Sequence, residues 1–279
     1  MYSMKFYYVV TPDKYDIADL FEVSCKERDI ETVRIEPDTY SFSDLEDMTD
    51  KDLYYPIGIN YATQVISRVA LQYKPTTFYT DNFFTRSVIG LYAQQNISVP
   101  RTVHYVSGNR ELLRSAVDRV GGLPVVIKVS GGSKGVGVMR ADSYESLFSM
   151  IDFLHSRNTK FVIQEFIDAP SHARLIVLGN KVVDSIEYTS SAGDFRTNSD
   201  DSPSVVGKKF SKEIEETAVK AAHALGYEFG GADIILDKKG NHYLLEVNFP
   251  CYFPRCQMTT GTDISGMMVD YLIKKSKER

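Results

Sequence analysis

Cysteine is scarce and tryptophan is absent: the 279-residue chain carries three cysteines, Cys25, Cys251 and Cys256. An odd number without metal-ligand spacing excludes a disulfide framework and a structural zinc site, and it points to a reducing, cytoplasmic setting. No apolar run approaches the roughly 18–20 residues that span a bilayer. The opening Met1-Tyr2-Ser3-Met4-Lys5-Phe6 lacks the apolar core of a secretory leader, so no membrane partner is expected. A net charge of −5 gives no electrostatic footprint for nucleic acid. The five histidines are scattered, without metal spacing. Neither internal repeats nor low-complexity tracts occur. What is present is ordinary globular composition, 43% hydrophobic and 25% charged, which excludes disorder for most of the chain. The abundant tyrosines and phenylalanines are not interleaved with basic residues and read as core and pocket walls.

Hydrophobic periodicity sets off a first piece that ends near residue 80, a middle stretch, and a C-terminal part richer in antiparallel signals. In the first, strands at 6–10, 31–35, 52–58 and 76–80 alternate with helices at 16–28 and 63–73, which implies a small parallel sheet. The middle segment offers helices at 85–95, 111–120 and 144–154 and a strong strand at 124–129. The last begins with a buried strand at 161–167. Hairpins follow at 173–188, turning at Gly179-Asn180, and at 232–247, turning at 237–240. Helices at 211–225 and 264–274 complete it. Residues 189–209, rich in Ser, Asp, Gly, Thr and Asn, read as a mobile loop.

Two constellations carry chemistry. Lys128 ends the apolar strand and precedes the glycine-rich Gly131-Gly132-Ser133-Lys134-Gly135-Val136-Gly137-Val138. Glycines let a backbone approach phosphate oxygens, and lysine neutralises them. The loop is neither a Walker loop nor a dinucleotide fingerprint, and a hairpin without a ligand stays open on these residues alone. The second constellation is Asp233, Glu246 and Asn248. Glu246 and Asn248 share parity on one strand, with Asp233 on its hairpin partner. Two carboxylates and an amide are hard oxygen donors suited to Mg2+ carrying phosphates. A salt-bridged pair is the plainer alternative. Arg174, Arg196 and Arg255 stand apart, each compatible with a surface position. No histidine is placed to activate Cys251 or Cys256 as a nucleophile.

In order and spacing these motifs resemble the ATP-grasp superfamily, its RimK-type carboxylate–amine ligases in particular, over roughly residues 75–275. The resemblance rests on 97–102, the Lys128 strand and loop, Gln164-Glu165-Phe166-Ile167, Arg174, Arg196-Thr197-Asn198, Asp233, 245–248 and 259–264. It implies an α/β and α+β architecture: an ATP-grasp fold with an N-terminal Rossmann-like pre-ATP-grasp domain at 1–80, a central lobe with a glycine-rich flap at 81–160, and a C-terminal lobe with the metal and substrate site at 161–279. It further implies that Lys128, Ser133, Lys134, Gly135, Val136 and Gly137 hold ATP phosphates. Glu165 and Ile167 hold adenine, chiefly by backbone, with Gln164 and Phe166 also binding the cofactor, and Asp168 reaches ribose. Asp233, Glu246 and Asn248 bind two Mg2+ ions, with Mn2+ an allowed substitute. Arg196, Lys128 and Arg174 form the catalytic set, and Asn198 lines the same site.

The implied reaction joins a carboxylate to an amine through an acyl phosphate, on an amino-acid or peptide substrate, in the cytoplasm, with homo-oligomers left open. A non-catalytic ATP-binding regulator and a small-molecule kinase are the alternatives. Three departures stand out: His172 replaces an acidic residue, Arg86 stands where a second phosphate-binding lysine is usual, and Phe249-Pro250-Cys251-Tyr252 replaces Ser-Ser-Pro-Gly.

Overall fold

The computed structural model describes residues 3–58, 60–79, 92, 96–104, 108–129, 135–189, 195–196 and 204–279. Three sheets order the described chain. Strands β1 (Lys5–Val9), β2 (Glu31–Ile35) and β3 (Leu53–Pro56) form a parallel sheet in the order β2-β1-β3. Helix α1 (Tyr15–Lys26) joins the first two strands and buries Ile17, Ala18, Phe21 and Cys25, a stripe at helical spacing. Helix α2 (Tyr61–Ala70) starts at Asn60, whose Oδ1 accepts from the Thr63 amide at 2.8 Å.

The expected strand at 76–80 is instead a pair of isolated bridges, and Thr80 lies outside the described residues. Thr76 bridges Leu53, and Tyr79 bridges Tyr227. The Tyr54 amide donates to Thr76 O at 2.9 Å, whereas the Glu228 amide donates to Phe78 O at 2.6 Å. The segment divides its backbone hydrogen bonds between two sheets, so it staples them and extends neither.

The second sheet has the order β4-β7-β5-β6, from β4 (Thr102–His104), β5 (Val125–Val129), β6 (Val138–Ala141) and β7 (Phe161–Glu165), all antiparallel. Helices α3 (Arg110–Arg119) and α4 (Tyr144–Ser156) cover one face, burying Val125, Ile127, Ala141 and Ile163. The third sheet is antiparallel in the order β10-β9-β8-β11-β12. Its strands are β8 (Ser171–Leu178), β9 (Lys181–Thr189), β10 (Ser204–Gly207), β11 (Phe229–Leu236) and β12 (His242–Asn248). Both expected hairpins, β8–β9 and β11–β12, are present.

The expected mobile loop at 189–209 is corrected at both ends. Thr189 closes β9, and Ser204–Gly207 pairs with it as an edge strand, because Val205 and Val206 are β-branched and find partners in Tyr188 and Glu187. Residues 190–194 and 197–203 lie outside the described residues, as does the expected helix at 85–95 apart from Tyr92.

Helix α5 (Lys212–Ala224) packs Ala218, Ala221 and Ala222 on one face of the third sheet, against Ala173, Leu175, Ala232, Ile234 and Leu244. The opposite face is shared. At one end Ile176, Ile186 and Phe229 join the core of the first sheet, with Phe6, Phe21, Tyr55 and Phe78. At the other end it opens to a cleft. Two helices close the chain. Short α6 (Pro254–Thr260), unannounced by periodicity, has proline in its first turn and left-handed Gly261 at its end; α7 (Ile264–Lys277) follows. Among the described residues no helix is long and apolar enough to cross a membrane.

Phe229 is fully buried, with its ring 5.3 Å from Phe78 and 5.9 Å from Tyr55. Phe229→Ala is expected to cost about 3–5 kcal/mol. A matching fall in the guanidinium midpoint, with an unchanged slope, is the check.

Candidate active site

Strand alternation aims the site. On β5, Val125 and Ile127 point to the helices, so Val126 and Lys128 point the other way, into a cleft of about 350 Å³ between the second and third sheets. Val138, paired with Lys128, and Gln164, paired with Val126, share that wall. On the facing sheet, His172, Asp233, Ile235, Leu245 and Glu246 line the cleft. Phe166, Ile167 and Ala169 connect the walls, and Gly135, Val136, Phe195 and Arg196 also line it.

A β-bulge decides which side chains of β12 enter. Asp233 pairs with Glu246, but Ile234 pairs with Leu244, leaving Leu245 as the extra residue. Simple alternation would put Leu244 and Glu246 on the same face. The bulge lets Leu244 face α5 in the core while Leu245 and Glu246 both reach the cleft. The parity expected for Glu246 and Asn248 holds, since they lie beyond the bulge. The Asn248 amide nitrogen donates to Asp233 Oδ2 and to Glu246 Oε1, each at 3.1 Å. The three candidate metal ligands therefore meet at one point. With a cation between the carboxylates, the amide would turn to present Oδ1. Two acidic oxygen donors beside an amide match the hard-donor preference of Mg2+, so these residues fit such an ion.

Arg174 lies behind Asp233, not at the surface. The register sets them opposite each other on β8 and β11, and Arg174 donates from Nε to Oδ1 and from Nη2 to Oδ2, the latter at 2.8 Å. Its side chain is 17% exposed and that of Asp233 5%. Burial works against the guanidinium charge, but Asp233 outweighs it and raises the pKa above the usual arginine value. A Cβ at Gly231 would meet Cys251 Sγ and, at 3.0 Å, Arg174 Cδ, so only glycine leaves room for the arginine stem there. Burial pushes the Lys128 ammonium below its ordinary value, while Glu246 and Asp233 pull it back up. Desolvation lifts the Cys251 thiol to about 11, which keeps it protonated and unsuited to nucleophilic attack.

The remaining expected residues divide. Arg196 Nη1 donates to Gly135 O at 3.2 Å, tying the polar segment to the glycine loop. Gly137, at φ +82°, packs so closely on Val129 that a Cβ would stand 3.0 Å from Val129 Cβ. Glu165 turns its carboxylate to Arg101, at 2.7 and 2.9 Å, which holds its pKa below the usual range, and its backbone N–H donates to Arg101 O at 2.8 Å. Asp168 pairs with Lys238 at 2.6 Å and is not among the cleft-lining residues. Ser133, Lys134, Arg86, Thr197 and Asn198 lie outside the described residues. Phe195 had no sequence signal, and Leu245, read in the sequence as an apolar flank, enters the cleft through the bulge. The place of His172 was legible, since it shares a face with Arg174 two residues on.

Residues 85–272 match the family model of the RimK-like ATP-grasp domain. A protein of Vibrio parahaemolyticus serotype O3:K6 named "probable alpha-L-glutamate ligase" is 32% identical over 191 residues, 67% of this chain and 62% of its own length. A protein of Parasynechococcus marenigrum with the same name is 34% identical over 164 residues, 58% of this chain and 35% of its own length. The chain thus spans less than two thirds of these curated relatives. The ATP-grasp ligase PsnB, solved with minimal precursor, Mg and ADP, superposes with a TM-score of 0.78 at 16% identity, covering 99% of each chain. D-alanine–D-alanine ligase from Bacillus anthracis, complexed with ATP, gives 0.71 at 15% identity, over 99% of this chain and 98% of that one. At such identities the likeness establishes the ATP-grasp fold.

Arg174→Met leaves the Asp233 carboxylate buried without its cation. An expected loss of about 3–5 kcal/mol follows, read as the urea unfolding free energy. Adding Asp233→Asn should recover part of it, since the uncompensated charge then disappears.

Proposed function

Since the chain belongs to the RimK-like ATP-grasp family, we propose that it is an ATP-dependent carboxylate–amine ligase acting on an amino acid or peptide. The observation that carries this reading is convergence: Lys128, Arg196, Asp233 and Glu246, from two sheets and a connecting segment, meet in one cleft whose remaining walls are largely apolar. ATP fits that division of labour. Its base lies among Val126, Val138, Phe166, Ile167 and Ile235, against the backbone of 164–167, and its phosphates run toward Lys128 and the loop around Gly135. Asp233, Glu246 and Asn248 would hold Mg2+, which when bound neutralises phosphate charge. The names of the curated relatives suggest glutamate as one substrate. The segments 1–80, 81–160 and 161–279 are read as the N-terminal domain, flap lobe and metal lobe, with Phe161–Glu165 crossing back into the second sheet. Three free, buried cysteines suit a cytoplasmic enzyme.

The chemistry needs no protein nucleophile. A substrate carboxylate oxygen attacks the γ-phosphorus, and the bond to the ADP oxygen breaks. The amine lone pair then attacks the acyl carbon, phosphate leaves with the carbon–oxygen electron pair, and the amine proton passes to solvent. Lys128 and Arg196 meet the charge that develops on the transferring group. Arg196, bound to Gly135 O, links the loop that excludes water to the reacting centre, which protects an acyl phosphate from hydrolysis.

Purified protein with ATP, Mg2+ and amino-acid mixtures should release phosphate and form condensation products visible by mass spectrometry. Phosphorylated product without amide would indicate a kinase, and nucleotide binding without turnover a regulator. Glu246→Gln is expected to abolish turnover with an unchanged circular dichroism spectrum. Lys128→Ala should weaken a non-hydrolysable ATP analogue by about 10- to 150-fold in calorimetry, the worth of a charge-assisted contact. Arg196→Ala should lower the rate far more than nucleotide affinity, because its contact strengthens in the transition state.

A further inference from the structure

A stacked column leads away from the cleft wall. His172, 2% exposed and lining the cleft, lies flat on Tyr188, its register partner on β9, with ring centroids 4.4 Å apart and planes 1° from parallel. Arg255, in the first turn of α6, places its guanidinium carbon 5.3 Å from the Tyr188 ring centroid. The cation therefore lies no farther from the His172 ring than these two distances laid end to end.

Among the described residues, the acids of this region are already engaged. Asp233 accepts from Arg174, and Asp184 accepts from Thr260 Oγ1 at 2.5 Å and Cys256 Sγ at 3.2 Å. Glu187 accepts from Ser171 Oγ and Lys208 Nζ, and Asp16 from the Tyr252 hydroxyl. Arg28, Arg101, Arg110, Arg140 and Arg174 each grip a carboxylate. Arg255 is half-buried and, among the described residues, has no acceptor for its guanidinium. A guanidinium positioned by an aromatic face, with its N–H fork unspent, is preorganised for a carboxylate.

We propose that Arg255, positioned by Tyr188 and His172, binds a substrate carboxylate that does not itself react. The inference rests on the ligase reading and deepens it. The reacting carboxylate has to reach the phosphoryl group beside Lys128 and Arg196, whereas Arg255 stands at the Tyr188 ring, which in turn stacks on the cleft-lining His172. The substrate class is then a free amino acid, or the end of a peptide, that keeps an unreacted carboxylate. That group is either the α-carboxylate or an acidic side chain.

The test is calorimetric titration of the full chain saturated with Mg2+ and a non-hydrolysable ATP analogue. The probes are L-glutamate, L-glutamine with only the α-carboxylate, and L-isoglutamine with only the side-chain carboxylate. Wild type should bind L-glutamate and one of the two amides, which identifies the carboxylate held. Arg255→Met should weaken that binding about 10- to 100-fold and Arg255→Lys less, with nucleotide affinity within about twofold and the melting temperature unchanged. Unaltered affinity in Arg255→Met, an equal loss of nucleotide affinity, or no binding of any probe by nucleotide-saturated wild type would each overturn the subsite alone. A wild type that binds no nucleotide would overturn the ligase reading, and the subsite with it.

Discussion

The Arg174–Asp233 ion pair stands where one face of the five-stranded sheet changes from core to cleft. On one side of it Ile176 and Phe229 pack into the aromatic core shared with the N-terminal sheet. On the other, His172, Ile235 and Glu246 look into open space. Asp233 is nearly inaccessible, and a carboxylate there would be costly without the guanidinium opposite it. Because the pair is in place, Asp233 can also accept from Asn248, which in turn reaches Glu246. The acidic cluster is thus built outward from a buried anchor, through Asn248, to the exposed Glu246.

Two other constraints follow from that anchor. Gly231 has to lack a side chain, since Arg174 and Cys251 fill the space beside it. The bulge at Leu245 has to follow directly, because the strand that delivers Glu246 to the cleft also delivers Leu244 to the core under α5. Lys128 faces this acidic cluster from another sheet; burial lowers its pKa, and Glu246 and Asp233 oppose that shift. Opposed charges on two separate sheets give the cleft a polarity along which a polyphosphate and its cation can be aligned.

Much of this was legible in local pattern. The parallel N-terminal sheet, the Lys128 strand and both C-terminal hairpins follow from apolar periodicity and turn residues. The shared face of Glu246 and Asn248 follows from strand parity. The segment at 76–79 was misread because a β-prone run does not say whether its backbone pairs with one sheet or two. Thr189 and Ser204–Gly207 were misread because polar composition hides an edge strand that needs few apolar contacts.

By itself the sequence determined which residue types alternate, where turns fall and in what order the phosphate-type and metal-type motifs appear, since these depend on chain neighbours. The tertiary structure decided the rest. It buried Arg174 against Asp233, turned Glu165 to Arg101, sent Asp168 to Lys238 and left Arg255 over Tyr188 without an acid among the described residues. Each outcome is a competition among charges distant in sequence, and proximity in space, absent from the linear pattern, settles which pairs form.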